Sequence, residues 1–490
     1  MDHLAKLKKD FIGLNTIYPT VDRGKTRRIY LDSTASSLMM KTAYKAMESF
    51  YNHYANTHSL LHFSAKISTH EYHWAHDRVL SFLQADSEKY TCFFTGSGTT
   101  AGMNRLARVF RDHRKKRDKV LVSLMEHHSN DLPHRKHAGE VIHIPLNNFG
   151  KEAGCISLEE IEKKLKENES QINYIAVTGV SNVTGIINPI YDIAELAHSH
   201  GAFIIVDGAQ MVSHIPVKIS GHKNPKRDLD AFVFSGHKTY VPGSPGVVVC
   251  RKDILSSIEP EEVGGGMVDR VFIDRYEVTQ KFPDREEAGT PNIPGSIGLA
   301  AVLEVLEMVG MNKIHEEETA LINYTLEKLI KIPEIHIYGE TNKDICPRAG
   351  SVSFNISEMD HGMTAAILND YFNIAVRNEC FCAHPYVKEM IIDDLLDYTS
   401  EVDEEKFEEE IFLKSGMVRA SVGLYNTYDD IDYLIFALKE IINRKEELSS
   451  HYCSDSEGNY FHTSFSVDGT NRFSTTSFIR SYWNSSKDHV

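Results

Sequence analysis

A chain of 490 residues, 41% hydrophobic and 25% charged, is long enough for two folded domains and has the composition of a globular protein, not a disordered one. Its formal net charge of −16 argues against a nucleic-acid-binding surface spread across the molecule. Seven cysteines, at 92, 155, 250, 346, 380, 382 and 453, are odd in number and lack paired spacing, which argues against a disulfide scaffold and fits a reducing, cytosolic setting.

The N-terminus, MDHLAKLKKDFIGLN, is charged and has no apolar run of secretory-signal length. From about Tyr90 the pattern is strand, turn, helix, repeated. "YTCFF", "KVLVSLME", "INYIAVTG" and "AFIIVDGA" read as buried strands. Between the last two, "NPIYDIAELAHSHG" places Pro189 near a helix start and Gly201 just past its end. That predicts a β-α-β crossover and a parallel strand pair. The longest charge-free stretch, Ile172 to Tyr191, contains Asn, Thr, two Gly and a Pro, so no membrane span is expected. "DAFVFSG" and "GVVVCRK" add two more strands. From Ser296 longer amphipathic helical patterns take over, followed by short alternating strands such as "AGSVSFNI".

The expected fold is α/β. A large domain, residues 25–295, carries a mostly parallel, doubly wound sheet, and a smaller α+β domain comprises residues 1–24 and 296–445. Tyr386 to Ser415 holds eleven acidic and three basic residues and reads as a solvated amphipathic helix with an acidic loop. Residues 446–490, rich in Ser, Thr, Asn and aromatics without periodicity, read as a poorly ordered tail.

In doubly wound sheets, ligands sit at the carboxyl ends of the strands. After "YTCFF" comes Thr95-Gly-Ser-Gly-Thr-Thr100, a turn at a helix start whose backbone N–H groups suit a phosphate. The next strands end in Glu126-His127-His128-Ser129-Asn130, in Ser181-Asn182, in Asp207-Gly-Ala-Gln210 and in Ser235-Gly-His-Lys238. One polar strand end is usually a satisfied turn; five in register are not explained that way. A phosphate cradle, a strand-end Asp, a flat His and a strand-end Lys are together what pyridoxal phosphate needs. The Lys forms the Schiff base, the Asp pairs with the pyridinium nitrogen and the imidazole stacks on the ring.

The stretches "YLDSTASS", "TGSGTTAGMN", "MEHHSN", "VSNVTGIINPI", "VDGAQ", "FSGHK", "EEAGTPN", "AVRNECFC" and "VRASVGLYNT" carry a family resemblance over roughly residues 25–445. The chain resembles class V, fold-type I pyridoxal-phosphate enzymes, and among them the cysteine desulfurase and selenocysteine lyase branch. The resemblance implies Lys238 as the Schiff-base lysine, Asp207 at the pyridine nitrogen, Gln210 at the phenolic oxygen and His127 stacked on the ring. It implies Asn182 as a cofactor or substrate contact and Thr99, Thr100, Ser235 and His237 as phosphate-binding positions. Thr290 would reach the phosphate of the neighbouring subunit of a homodimer, and Arg419, with its planar fork, would hold the substrate carboxylate.

"RNECFCAHP" is open to several readings from its residues alone: a metal clip, a redox couple, a reactive thiol or two buried side chains. By the resemblance, Cys382 takes the place of the desulfurase nucleophile. The implied reaction converts L-cysteine to L-alanine and leaves a persulfide on Cys382, from which a protein acceptor would take the sulfur. A thiolate is required, and Arg377, His127 and His384 are the candidate neighbouring cations, with Arg377 also a candidate substrate contact and His127 a candidate catalytic residue. Cys380 is a candidate relay or resolving thiol. The Cys-Phe-Cys stretch also resembles molybdenum cofactor sulfurases, which share the fold. Other expectations kept open are a class V aminotransferase, epimerase or lyase in which Cys382 is incidental, and a cofactor-binding scaffold without turnover. No metal, nucleic acid or membrane is expected as a partner.

Overall fold

The computed structural model describes residues 3–147, 153–398 and 416–485. Its centre is a seven-stranded sheet of β1 (Tyr90–Thr95), β2 (Lys119–Ser123), β3 (Glu140–Ile144), β4 (Ile172–Thr178), β5 (Phe203–Asp207), β6 (Ala231–Ser235) and β7 (Gly246–Arg251), in the order β1-β7-β6-β5-β4-β2-β3. Only β7 runs against its neighbours, so the other six strands point their carboxyl ends the same way. The strands read as continuous apolar runs because both faces are covered. Phe94, Ile175 and Phe232 face one core while Phe93, Tyr174 and Val233 face the other. The expected crossover is present: the helix Ile190–Ser199 begins after Pro189, ends before Gly201 at φ +70°, and joins the parallel pair β4 and β5.

A second core gathers around the antiparallel strands β8 (Ile335–Ile337), β9 (Ser351–Ile356) and β10 (Val418–Ser421), covered by the helices His361–Phe372 and Tyr428–Asn443. Three sequence expectations change here. The helix Ile293–Val309 packs on Lys41–Tyr51 and Phe63–Phe82 of the large core, beside Leu4, Leu7 and Phe11, whereas Ile29 and Leu31 belong to the small core. The two units therefore exchange segments at both expected boundaries, because apolar periodicity marks a helix without saying which sheet it covers. The expected disordered tail instead carries the hairpin of β11 (Tyr452–Ser454) and β12 (Tyr460–His462) and a helix, Thr475–Ser485. Tyr452 is part of the small core, and the Tyr371 hydroxyl bonds His451 and His462 at 2.8 and 3.1 Å. Cys155 and Cys346 form a disulfide, which a spacing argument does not detect for residues 191 apart. The acidic segment begins inside the helix His384–Tyr398; residues 399–415 lie outside the described residues. Among the described residues no single helix is long and apolar enough to cross a membrane.

The loop after β4 locks the two units together. Arg348, buried, donates to the carbonyls of Thr184, Tyr338 and Glu340, and Gly185 sits at φ +75° against the small unit. A Cβ on Gly185 would lie 2.4 Å from Ser351 O and 2.5 Å from Ala349 O, both backbone atoms that cannot swing aside. Gly185→Ala is expected to destabilise the protein by about 2–4 kcal/mol, from the left-handed backbone and the overpacking together. A denaturant midpoint unchanged from wild type would contradict this account.

Candidate active site

At the carboxyl edge of the six co-directed strands opens a cavity of about 600 Å³. The large unit lines it with Thr99, Thr100, His127, Asn182, Asp207, Gln210, Ser235, His237 and Lys238, and the small unit with Arg377, Cys382 and Arg419. The polar strand ends share one crevice. Thr290 is outside it: it lies on an exposed segment, with its hydroxyl accepting from Asn56 at 3.3 Å.

The phosphate-type cradle is held from below. Thr99 meets Ser235 Oγ twice, through its N–H at 2.8 Å and its hydroxyl at 2.8 Å, and the Thr100 hydroxyl bonds Ser129 Oγ at 2.7 Å. Gly98, at φ +57°, opens the helix Gly98–His113, and a Cβ there would come within 2.6 Å of Ser235 Oγ. The backbone of this turn approaches closely only because no side chain intervenes. That is what an anion at a helix N-terminus requires.

Asp207 ends β5, buried, with one carboxylate oxygen accepting the Ala209 N–H at 2.9 Å. Burial raises its pKa, while the Lys238 ammonium pulls the other way. A carboxylate held in this state gains from a cationic N–H donor in the cavity. Lys238, in the turn after β6, is pushed down to about 8 by burial, with Asp207 opposing and Arg419 adding to the shift. The lowered value brings the free amine, a nucleophile and a base, within reach of neutral pH. Gln210 is fixed by donating to Thr34 O at 2.8 Å. His237 Nδ1 lies 3.3 Å from Ser36 Oγ, and burial lowers its pKa to about 4.

His127 accepts the Ser129 N–H at Nδ1, 3.0 Å, which places its own proton on Nε2. Burial, followed by the Lys238 charge, lowers its pKa to about 3, so the ring that lines the cavity is neutral at physiological pH. The folded value is below the unfolded one, so the fold favours the neutral ring. Its contribution is complete above pH ~6.5 and drains as pH falls toward 3, by up to about 1.4 kcal/mol per pH unit. Histidine titration followed by NMR is expected to show no midpoint for His127 between pH 5 and 8, and His127→Gln to flatten the acid slope of stability. A midpoint near 6.5 would refute the assignment.

The small unit supplies the other wall through a tightly held loop. Glu379, Phe381 and Cys382 adopt φ of +89°, +51° and +54°, a left-handed backbone that non-glycine residues rarely take. Two bonds from the large unit clamp them: the His128 N–H donates to Cys382 O at 2.7 Å, and the Asn182 side chain donates to Phe381 O at 2.8 Å. Asn182 therefore reaches the cysteine loop with the amide that the sequence argument assigned to a ligand. Cys382 is exposed to the cavity. Cys380 is buried and lines a second cavity of about 660 Å³ bordered by the helix His361–Phe372 and the turn before β12. Burial, then Glu379 and Cys382, push its thiol up to about 11. Among the described residues no group of three or more His, Cys, Asp or Glu is placed to hold a metal ion.

Arg419 is buried. Its Nη1 donates to Asn182 O at 2.7 Å, its guanidinium lies 4.5 Å from the Phe381 ring centre, and its Nε makes no hydrogen bond. Its Nη2 lies 3.5 Å from the Asp32 carboxylate, and the guanidinium lines the cavity, where a planar fork can take a second carboxylate. Sequence reasoning passed over Phe381, Ser129 and Asp32. Asp32 stood inside a quoted motif, and its only signal was the position of an acid after a short apolar strand.

A family model described as "Aminotransferase class-V" matches residues 29–434. A protein named "Probable cysteine desulfurase" from Halalkalibacterium halodurans is 33% identical over 436 residues, 87% of this chain and 97% of that protein. One named "Cysteine desulfurase" from Shigella sonnei is 34% identical over 418 residues, 84% of this chain and 93% of its own length. Among solved structures, the apo cysteine desulfurase of Thermococcus onnurineus NA1 superposes with a TM-score of 0.73 at 31% identity, covering 85% of this chain and 95% of that one. An Escherichia coli cysteine desulfurase gives a TM-score of 0.71 at 26% identity, covering 90% and 98%.

Proposed function

The chain belongs to the class-V aminotransferase family, and from that premise we propose that it is a pyridoxal-phosphate-dependent cysteine desulfurase, converting L-cysteine to L-alanine. The observation that carries the proposal is the single cavity joining Lys238 and Asp207 of one unit to Cys382 and Arg419 of the other. The donor set fits the cofactor. The glycine turn before Thr99 suits its phosphate, Asp207 its ring nitrogen, Gln210 its phenolic oxygen, the neutral His127 its face and Lys238 its aldehyde. When bound, pyridoxal phosphate supplies an electron-accepting ring that stabilises negative charge at the substrate α-carbon.

The chain's own residues do the rest. Arg419, which lines the cavity, holds the α-carboxylate with its guanidinium and so fixes the amino acid relative to Lys238. The Lys238 amine accepts the α-proton and returns a proton later. Cys382, as the thiolate, attacks the substrate sulfur. A sulfur–sulfur bond forms as the carbon–sulfur bond breaks, its electron pair going to carbon, which is protonated to give alanine. The persulfide left on Cys382 passes its outer sulfur to an acceptor thiol, and the compartment has to be reducing enough to keep Cys382 a thiol. The protein acts as a homodimer, each Thr290 reaching the phosphate of its neighbour. This is supported by the place of Thr290 outside its own chain's cavity and by the exposed Leu61 and Phe63 on the segment near Asn56. Incubation with L-cysteine and a reductant should release sulfide and alanine in equal amounts. Transamination without sulfide would point instead to a class V aminotransferase.

A further inference from the structure

Asp32 stands behind the cavity wall, not among the residues that line it, and its carboxylate bridges two guanidinium groups. Its Oδ2 lies 3.1 Å from Nη2 of Arg377 and its Oδ1 3.5 Å from Nη2 of Arg419. The backbone brings the three together. Asp32 pairs with Ser421 and Arg377 with Arg419 through isolated bridges, the latter by reciprocal N–H to carbonyl bonds of 3.2 and 2.7 Å. The two arginines differ in setting: Arg419 is buried, whereas the Arg377 side chain is 52% exposed at the rim. Both line the cavity, so without Asp32 it would offer a substrate two cationic forks. Asp32 offsets one of the two guanidinium charges, leaving the arginine pair a single net positive charge, which matches an amino acid with a single acid group.

We infer that Asp32 determines specificity by position: it engages Arg377 so that Arg419 alone reads the α-carboxylate, and amino acids with a second acid group in the side chain gain no hold. The inference rests on the carboxylate-binding role proposed for Arg419. Asp32 touches neither substrate nor cofactor, so it acts through the arginines. Its expected signature is a change in which amino acid binds.

The probes are L-alanine and L-aspartate, which differ by the side-chain carboxylate. Their affinities for the holoenzyme are measured by thermal shift and by competition against L-cysteine. In wild type, L-aspartate is expected to bind no tighter than L-alanine. In Asp32→Asn the L-aspartate to L-alanine affinity ratio should rise about tenfold or more, Asp32→Glu should restore the wild-type ratio, and Asp32→Asn with Arg377→Ala should lose the gain. Tighter L-aspartate binding by wild type overturns the inference without any variant, as does a ratio in Asp32→Asn within twofold of wild type, or a gain that survives loss of Arg377. A loss of folding shared by all Asp32 variants leaves the wild-type comparison as the deciding result. If wild type does not turn over L-cysteine, the proposed function fails, while the two binding ratios still report on Asp32.

Discussion

Lys238→Ala is expected to lower alanine formation from L-cysteine by about a thousandfold or more, because it removes both the amine that anchors the cofactor and the base that takes the α-proton. The same change has a second, independent readout. Borohydride reduction of the wild-type holoenzyme should leave a pyridoxyl group on Lys238 after denaturation, and Lys238→Ala should leave none. A third follows from the amine's surroundings. Burial holds its pKa at about 8, below the usual 10.5 of a lysine, so the fold disfavours the charged form. Below pH ~8 this lysine destabilises the cofactor-free protein, and the penalty drains as pH rises from about 8 to 10.5. Cofactor-free Lys238→Ala should therefore be at least as stable as wild type at pH 7, with the difference narrowing at alkaline pH. Retained turnover, or a trapped adduct on another lysine, would remove the basis of the proposed function.

Cys382→Ser is the complementary case. A serine hydroxyl does not attack sulfur at neutral pH, so sulfide release under reductant should fall by about a hundredfold or more and no persulfide should form. The loop itself should hold its shape, since the bonds that clamp it reach the carbonyls of Phe381 and Cys382 and leave the thiol uninvolved. Cofactor absorbance and L-alanine binding should accordingly stay close to wild type, separating loss of the nucleophile from loss of the site. Sulfide release that persists in Cys382→Ser would show that another group accepts the sulfur, and peptide mapping of the trapped persulfide would identify it.

Much of this site was legible because buried parallel strands leave a strong trace. Each is a short apolar run, and whatever follows it falls at the same edge of the sheet. Lys238, Asp207, His127 and the Thr99–Thr100 turn were therefore locatable before any contact was known. Arg419 and Cys382 come from the other unit, about 140 residues or more further on than Lys238, and only resemblance to a family linked them to the first group. Asn182 shows what residue type leaves out. It lines the cavity, and its side-chain amide also donates to the Phe381 carbonyl, a contact that an amide at a strand end does not foretell. The hairpin of β11 and β12 escaped for the opposite reason: three-residue strands among polar residues have no period to detect, and their order comes from Tyr452 and the Tyr371–histidine bonds. The linking role of Asp32 depends on three backbone segments meeting, which no local pattern encodes.

The Cys155–Cys346 bridge has a practical side. It closes a covalent ring whose arc carries Asn182, Asp207, Lys238 and Thr290, while both ends of the polypeptide remain outside it. A protease that cuts once anywhere between the two cysteines opens the ring and releases nothing. Such a nicked molecule runs as one species on a non-reducing gel and falls into two fragments only when thiol is added, so samples of this protein judged intact without reductant can conceal cleavage beside the active site.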